Sequence, residues 1–179
     1  MSGGDERLRR TRQVGGRARA ALAGLALLLP GSLLGGCGLV GDGDPVFSVE
    51  WVALISEPGS NRNNPTAVDL VLIYDPGLTD TVSTLTAGDW FRRKTQFRRD
   101  FPNGFKVLGW EVVPSQAIAA RELEDDDIEN AEGDAPTAAF VFADYYTPGD
   151  HRARLETRTA IRIRLGQDDF TLESFDPPN

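Results

Sequence analysis

The chain reads as a mainly β protein, a two-sheet β-sandwich with one helix inserted midway. From Val46 onward, seven or eight short segments rich in Val, Ile, Leu and Phe are separated by clusters of Gly, Pro, Asn and Asp, the spacing of strands joined by turns. Only the stretch that begins at Thr86 carries its apolar residues at helical spacing. Cys37 is the sole cysteine, so no intrachain disulfide framework exists and an apolar core must hold the fold. The 143 residues that follow position 36 are enough for one domain with such a core.

Residues 1–36 read as a lipoprotein signal peptide. A basic region up to Arg19 precedes an apolar run from Ala20 to Leu34, which is too short for a stable membrane span. It ends in Leu34-Gly35-Gly36-Cys37, which resembles a bacterial lipobox. The two glycines let the backbone enter a peptidase site, and the Cys37 sulfur is the nucleophile for acylation, so Cys37 is the expected lipidation site. One acyl chain binds a membrane only marginally, at ~0.8 kcal/mol per buried CH₂, whereas a multiply acylated cysteine anchors stably. Residues 37–45, rich in Gly and Asp, read as a flexible tether, and residues 46–179 as the sandwich domain.

Beyond position 36 the chain holds 25 acidic against 13 basic residues, a net charge of −12. Such a surface repels nucleic acid and anionic headgroups, so no nucleic-acid partner is expected and membrane contact falls to the lipid.

Residues 46–56 alternate, with Phe47, Val49, Trp51, Ala53 and Ile55 on one face, as a half-buried strand does. Residues 57–65 are dense in Pro, Gly, Ser and Asn and predict an exposed loop. Residues 66–75 form the next strand, stopped by a turn at Asp75-Pro76-Gly77. Thr86 caps a helix with Asp89 three residues on; Trp90, Phe97 and Phe101 make its apolar stripe, and Pro102-Asn103-Gly104 ends it. Residues 105–114 read as a strand with a bulge at Gly109, residues 115–121 as a short strand or helical turn, and residues 122–134 as an acidic loop. Residues 137–146, the most apolar stretch of the domain, predict a central strand covered on both faces. After a turn at residues 147–150, strands at 151–157 and 159–165 follow. A two-residue hairpin, Gly166-Gln167, leads to the last strand at 169–175.

Catalysis finds no foothold in this pattern, and no cofactor or metal site is expected. The run from Gly36 to Gly41 matches a dinucleotide fingerprint in letters only, because no strand precedes it and no helix follows. In the acidic run Asp125-Asp126-Asp127 with Glu129, Asn130 and Pro136 stand where a calcium loop needs glycine and glutamate, so a solvated loop is favoured. His151, the only histidine, adjoins Asp150 as a general base might, but a lone surface histidine after a turn is the simpler reading. Arg92, Arg93, Lys94, Arg98 and Arg99 form a basic helix face, expected to be satisfied largely by the domain's own carboxylates.

Taken in order, these features resemble the small outer-membrane lipoprotein of bacterial type VI secretion, the TssJ family. The resemblance rests on the lipobox, Asn63-Asn64-Pro65 before the strand at 68–74, the helix with Trp90-Phe91 and Phe97, Glu111-Val112-Val113-Pro114, the strand at 138–146 ending in an aromatic pair, and Pro148-Gly149 with Arg152. The Arg/Pro-rich stretch usual in that family is reduced here to Asn63-Asn64-Pro65-Thr66, and the insertion at 122–134 is unusually acidic. The resemblance implies a transthyretin-like sandwich without enzymatic activity, held at the periplasmic face of the outer membrane by lipid on Cys37. It further implies that the domain tethers a secretion complex there by binding the periplasmic region of an inner-membrane TssM (IcmF-like) protein. The corresponding partner loop spans residues 56–65, with Ser60, Asn61, Arg62, Asn63 and Asn64 as the candidate contact residues. Gly38 lacks the aspartate associated with inner-membrane retention. The competing expectation is a periplasmic lipoprotein that binds a small ligand, marked by a deep pocket with convergent polar groups, or one that serves as an assembly factor of another envelope complex.

Overall fold

The computed structural model describes residues 47–158 and 160–178. The expected signal peptide and tether, and with them Cys37, lie outside the described residues. The described residues form eight strands: β1 (Trp51–Ser56), β2 (Thr66–Ile73), β3 (Phe105–Val112), β4 (Ala117–Glu122), β5 (Ala138–Ala143), β6 (Arg152–Leu155), β7 (Ala160–Leu165) and β8 (Phe170–Ser174). They form two four-stranded sheets, ordered β4-β1-β7-β8 and β3-β2-β5-β6. The β1–β7 pair is parallel, and the remaining pairs are antiparallel. The expected two-sheet sandwich is therefore present.

Val52 and Leu54 of β1 and Ile161, Ile163 and Leu165 of β7 pack against Val68, Leu70 and Leu72 of β2 and Val141 of β5, filling the space between the sheets. The outer face of the second sheet is covered too. There Val71, Ile73, Phe140 and Phe142 meet Leu78 and Val82 of α1 (Pro76–Ser83) and Trp90 and Phe97 of α2 (Ala87–Asp100). Trp90 stacks on Phe142 with ring centroids 5.2 Å apart and meets Phe105 edge-on at 5.6 Å. Being covered on both sides, β5 is apolar throughout, Ala-Ala-Phe-Val-Phe-Ala, as expected of a central strand.

Several local expectations change. The turn at Asp75-Pro76-Gly77 is the start of α1, so the helical insertion holds two helices rather than one: the Asp75 carboxylate accepts the Gly77 N–H at 2.9 Å, and proline suits the first helical position. β1 begins at Trp51, and its inward residues are Val52 and Leu54, not Trp51 and Ile55. Phe47 and Val49 are buried as expected, but the alternation slips before Val52, and one slipped residue exchanges the faces. The irregularity in register lies in the β1–β4 pair, between Val52 and Leu54. Gly109 is not a bulge, since the β2–β3 ladder runs unbroken from Thr66 opposite Val112 to Ile73 opposite Phe105. The space above Gly109 is tight, since an added Cβ would lie 3.0 Å from the Asp69 carboxylate and would push it aside by a few tenths of an ångström. The last hairpin has a four-residue loop, residues 166–169, since Leu165 pairs with Phe170 and the Gly166 N–H bonds the Asp169 carbonyl.

The acidic segment contains a short helix, α3 (Asp125–Ile128), strapped to the body. Arg121 pairs with Asp127 at 2.7 Å, the Tyr74 hydroxyl donates to the Ile128 carbonyl, and the Lys106 ammonium donates to the Asp126 and Glu129 carbonyls.

Candidate functional site

The strand directions give the domain two unlike ends. The described chain enters at Phe47, whose N–H bonds the Pro136 carbonyl, and residues 74–76, 101–104 and 136–137 gather at that end; the Gly104 carbonyl accepts both the Tyr74 and Asp75 N–H groups. β1 then runs to the other end, six residues or about 20 Å away. There the chain crosses to β2 in the opposite sheet through residues 57–65, and the connections 113–116, 144–151 and 166–169 converge around it. Their backbones are joined directly. The Glu57 N–H bonds the Leu165 carbonyl, the Asn61 N–H the Gly166 carbonyl, and the Ser115 N–H the Glu57 carbonyl.

Residues 57–65 do not form the expected exposed loop throughout. Ser60 and Asn61 are fully buried. The Ser56 and Ser60 hydroxyls lie 2.5 Å apart, and the Asn61 amide donates to the Pro65 and Asp144 carbonyls at 3.0 and 3.2 Å while its oxygen accepts the Tyr146 N–H at 2.8 Å. With these bonds made inside the protein, Ser60 and Asn61 shape the turn. Arg62 and Asn63 form its exposed tip, and half-buried Asn64 donates to the Asn61 and Arg62 carbonyls. Asn61, Arg62 and Asn63 all have positive φ, at 44°, 54° and 62°. Asparagine tolerates that region, whereas arginine there carries strain that surrounding contacts must hold. The Arg62 pair with Asp168, 3.5 Å apart and largely exposed, contributes little to holding it.

Beside this turn lies a groove of about 410 Å³ lined by Pro65, Ala67, Glu111, Asp144, Tyr145 and Tyr146. Sequence reasoning missed it as a site, although the aromatic pair at the end of β5 was visible. Tyr146 is 74 % exposed, and Val113, another exposed large apolar residue, follows directly on β3 at the same end. Behind the groove, Tyr145 is buried with its hydroxyl donating to the Gly166 carbonyl; burial, reinforced by Asp169, raises its phenol pKa.

His151 is not on the surface and does not use Asp150. It is buried, Nδ1 lying 3.0 Å from the Asp169 carboxylate and Nε2 2.8 Å from the Thr147 carbonyl, with its ring stacked on Tyr145. It staples the 147–151 turn to the final hairpin. On α2, Arg92 pairs with Asp89 and Lys94 with Asp69, whereas Arg93 lies over the Phe97 ring, and Arg98 and Arg99 have no carboxylate within 4.0 Å among the described residues. Among the described residues, no three His, Cys, Asp or Glu side chains are grouped to hold a metal ion.

No protein-family model matches the sequence, and no curated protein matches it. The two sheets, the helices on one outer face and the loops gathered at one end define a helix-covered β-sandwich. Among solved structures, the same fold occurs in the type VI secretion lipoprotein TssJ1 from Pseudomonas aeruginosa. The likeness has a TM-score of 0.51 at 15 % identity, covering 75 % of this chain and 100 % of that one. Lip of Serratia marcescens, a membrane-bound component of the type VI secretion system, matches with a TM-score of 0.47 at 10 % identity over 72 % of this chain and 97 % of its own. A chain of a type VI membrane complex matches at 0.48 and 12 % identity over 70 % and 99 %. At these identities the likeness is one of fold.

Proposed function

We propose that the protein is a lipid-anchored scaffold of a type VI secretion membrane complex, structural rather than catalytic. It is held at the periplasmic face of the outer membrane through Cys37 and binds the periplasmic region of a TssM/IcmF-like inner-membrane protein. The observation that carries this reading is the position of the strained turn at 61–63. It projects from the end opposite the chain entry at Phe47, so a domain tethered through residues 37–45 presents it away from the anchoring membrane. The TssJ1-like fold supports the same reading. Arg62 and Asn63 at the tip are the contact residues, with half-buried Asn64 beside them, while Ser60 and Asn61 fix the shape of the turn.

The test is capture of partners from detergent-solubilised native membranes by the full-length chain, with bound proteins identified by mass spectrometry. Recovery of a large inner-membrane protein with a periplasmic C-terminal region, weakened at least tenfold by Arg62→Ala with Asn63→Ala, is expected. Recovery of no such protein, or capture indifferent to both changes, refutes the reading.

A further inference from the structure

The groove beside the turn has a chemistry of its own. Ala67 of β2 is flanked by Glu111, its register partner on β3, and by Asp144, whose N–H bonds the Ala67 carbonyl, so two carboxylate residues border a small floor residue in one cross-strand row. Both side chains are exposed, and neither has a Lys, Arg or His nitrogen within 4.0 Å among the described residues. The contrast is in the next row toward the other end. There Asp69 is neutralised by Lys94 at 2.9 Å and bonded by the Trp90 indole N–H at 2.8 Å. Tyr146 borders the groove with 74 % of its surface exposed, while its backbone N–H is fixed by Asn61.

We propose that this groove is a receptor for an arginine side chain carried by the protein partner. Two free carboxylates supply acceptors for a guanidinium fork, an open phenol ring supplies a stacking face, and the small floor residue leaves room for the side chain to lie flat. A neutral or acidic side chain meets two uncompensated negative charges there. The identity of the partner rests on the scaffold reading above, while the groove's preference for a guanidinium does not. The Asn61 amide, bonded to both the Asp144 carbonyl and the Tyr146 N–H, makes turn and groove one surface, so a partner seated on the turn places its neighbouring side chain in the groove.

The experiment titrates N-acetyl-arginine amide into the isotope-labelled full-length chain in detergent, followed by NMR. Saturable shifts confined to Ala67, Glu111, Asp144 and Tyr146 at millimolar probe are expected. They are expected to disappear in the Glu111→Gln/Asp144→Asn double variant and to be at least tenfold weaker with the neutral isostere N-acetyl-citrulline amide. Equal shifts with citrulline, or shifts that fail to saturate, overturn the proposal. The same double variant goes into the partner capture described above, where at least a tenfold loss is expected. Undiminished capture overturns the groove's role in docking while leaving the scaffold reading intact. Saturable arginine binding with no partner captured removes the scaffold reading and upholds the guanidinium site.

Discussion

Asn61 joins three segments with one side chain: its own turn through Pro65, the end of β5 through Asp144, and the backbone of Tyr146. Replacing it with alanine leaves two carbonyls and one N–H to find new partners in a site closed to water, at about 1 kcal/mol net for each bond. The backbone adds a further penalty because φ is 44° and alanine tolerates that region less well than asparagine. Asn61→Ala is therefore expected to cost about 2–4 kcal/mol in urea unfolding with an unchanged m value, and a loss below about 0.5 kcal/mol refutes the assignment. Little of this was legible in the sequence. The run Gly59-Ser60-Asn61-Arg62-Asn63 announces a turn by composition, but Asn61 points inward because of groups 83 and 85 positions away. His151 was misread for the same reason, since its carboxylate partner, Asp169, is 18 residues distant rather than adjacent.

At the level of elements, α2 was readable because its start is encoded within four residues. The Thr86 hydroxyl accepts the Asp89 N–H at 3.1 Å and donates to the Asp89 carboxylate at 2.9 Å. That hydroxyl is the leading cause of the lowered Asp89 pKa, with Arg92 adding to it. The folded pKa lies below the unfolded one, so the contribution is present above the unfolded value and is lost as pH falls through the folded value. Thr86→Ala is expected to raise the Asp89 titration midpoint toward the ordinary aspartate range, as read by carboxylate NMR. The cap itself accounts for about 1 kcal/mol of the destabilisation at neutral pH. The deficit shrinks on acidification once Asp89 is protonated in both proteins, and a deficit that grows instead contradicts this account. α1 was equally encoded yet missed. Asp75-Pro76-Gly77 opens a helix as readily as it closes a strand, and the spacing of Leu78 and Val82 on one helical face decides between the two. The shift in β1 had no local signal, because Trp51 and Val52 are both apolar and only pairing with β7 and β4 selects which faces the core.

For the molecule as a whole, the separation of the two ends predicts that anchoring and partner binding are independent properties. The succession of strands along the chain and the two covered faces of β5 were legible from alternation, breaker composition and the apolar run at 137–146. The strand order within each sheet and the gathering of loops at one end depend instead on long-range pairing that no local pattern encodes. Metabolic labelling with palmitate is expected to mark the protein and to fail in Cys37→Ser. Exchange of residues 1–37 for a cleavable, non-lipidating secretory signal is expected to move the domain into the soluble periplasm with partner affinity within about threefold of the anchored form, a difference of under about 0.7 kcal/mol. Arg62→Ala with Asn63→Ala is expected to do the reverse, leaving the protein in the membrane fraction while partner capture falls. If the released domain loses its partner, the anchor and the turn act together and the two ends are not functionally separate. If the turn variants leave the membrane fraction, the loop end contributes to membrane retention and the proposed orientation, anchor on one side and partner on the other, is wrong.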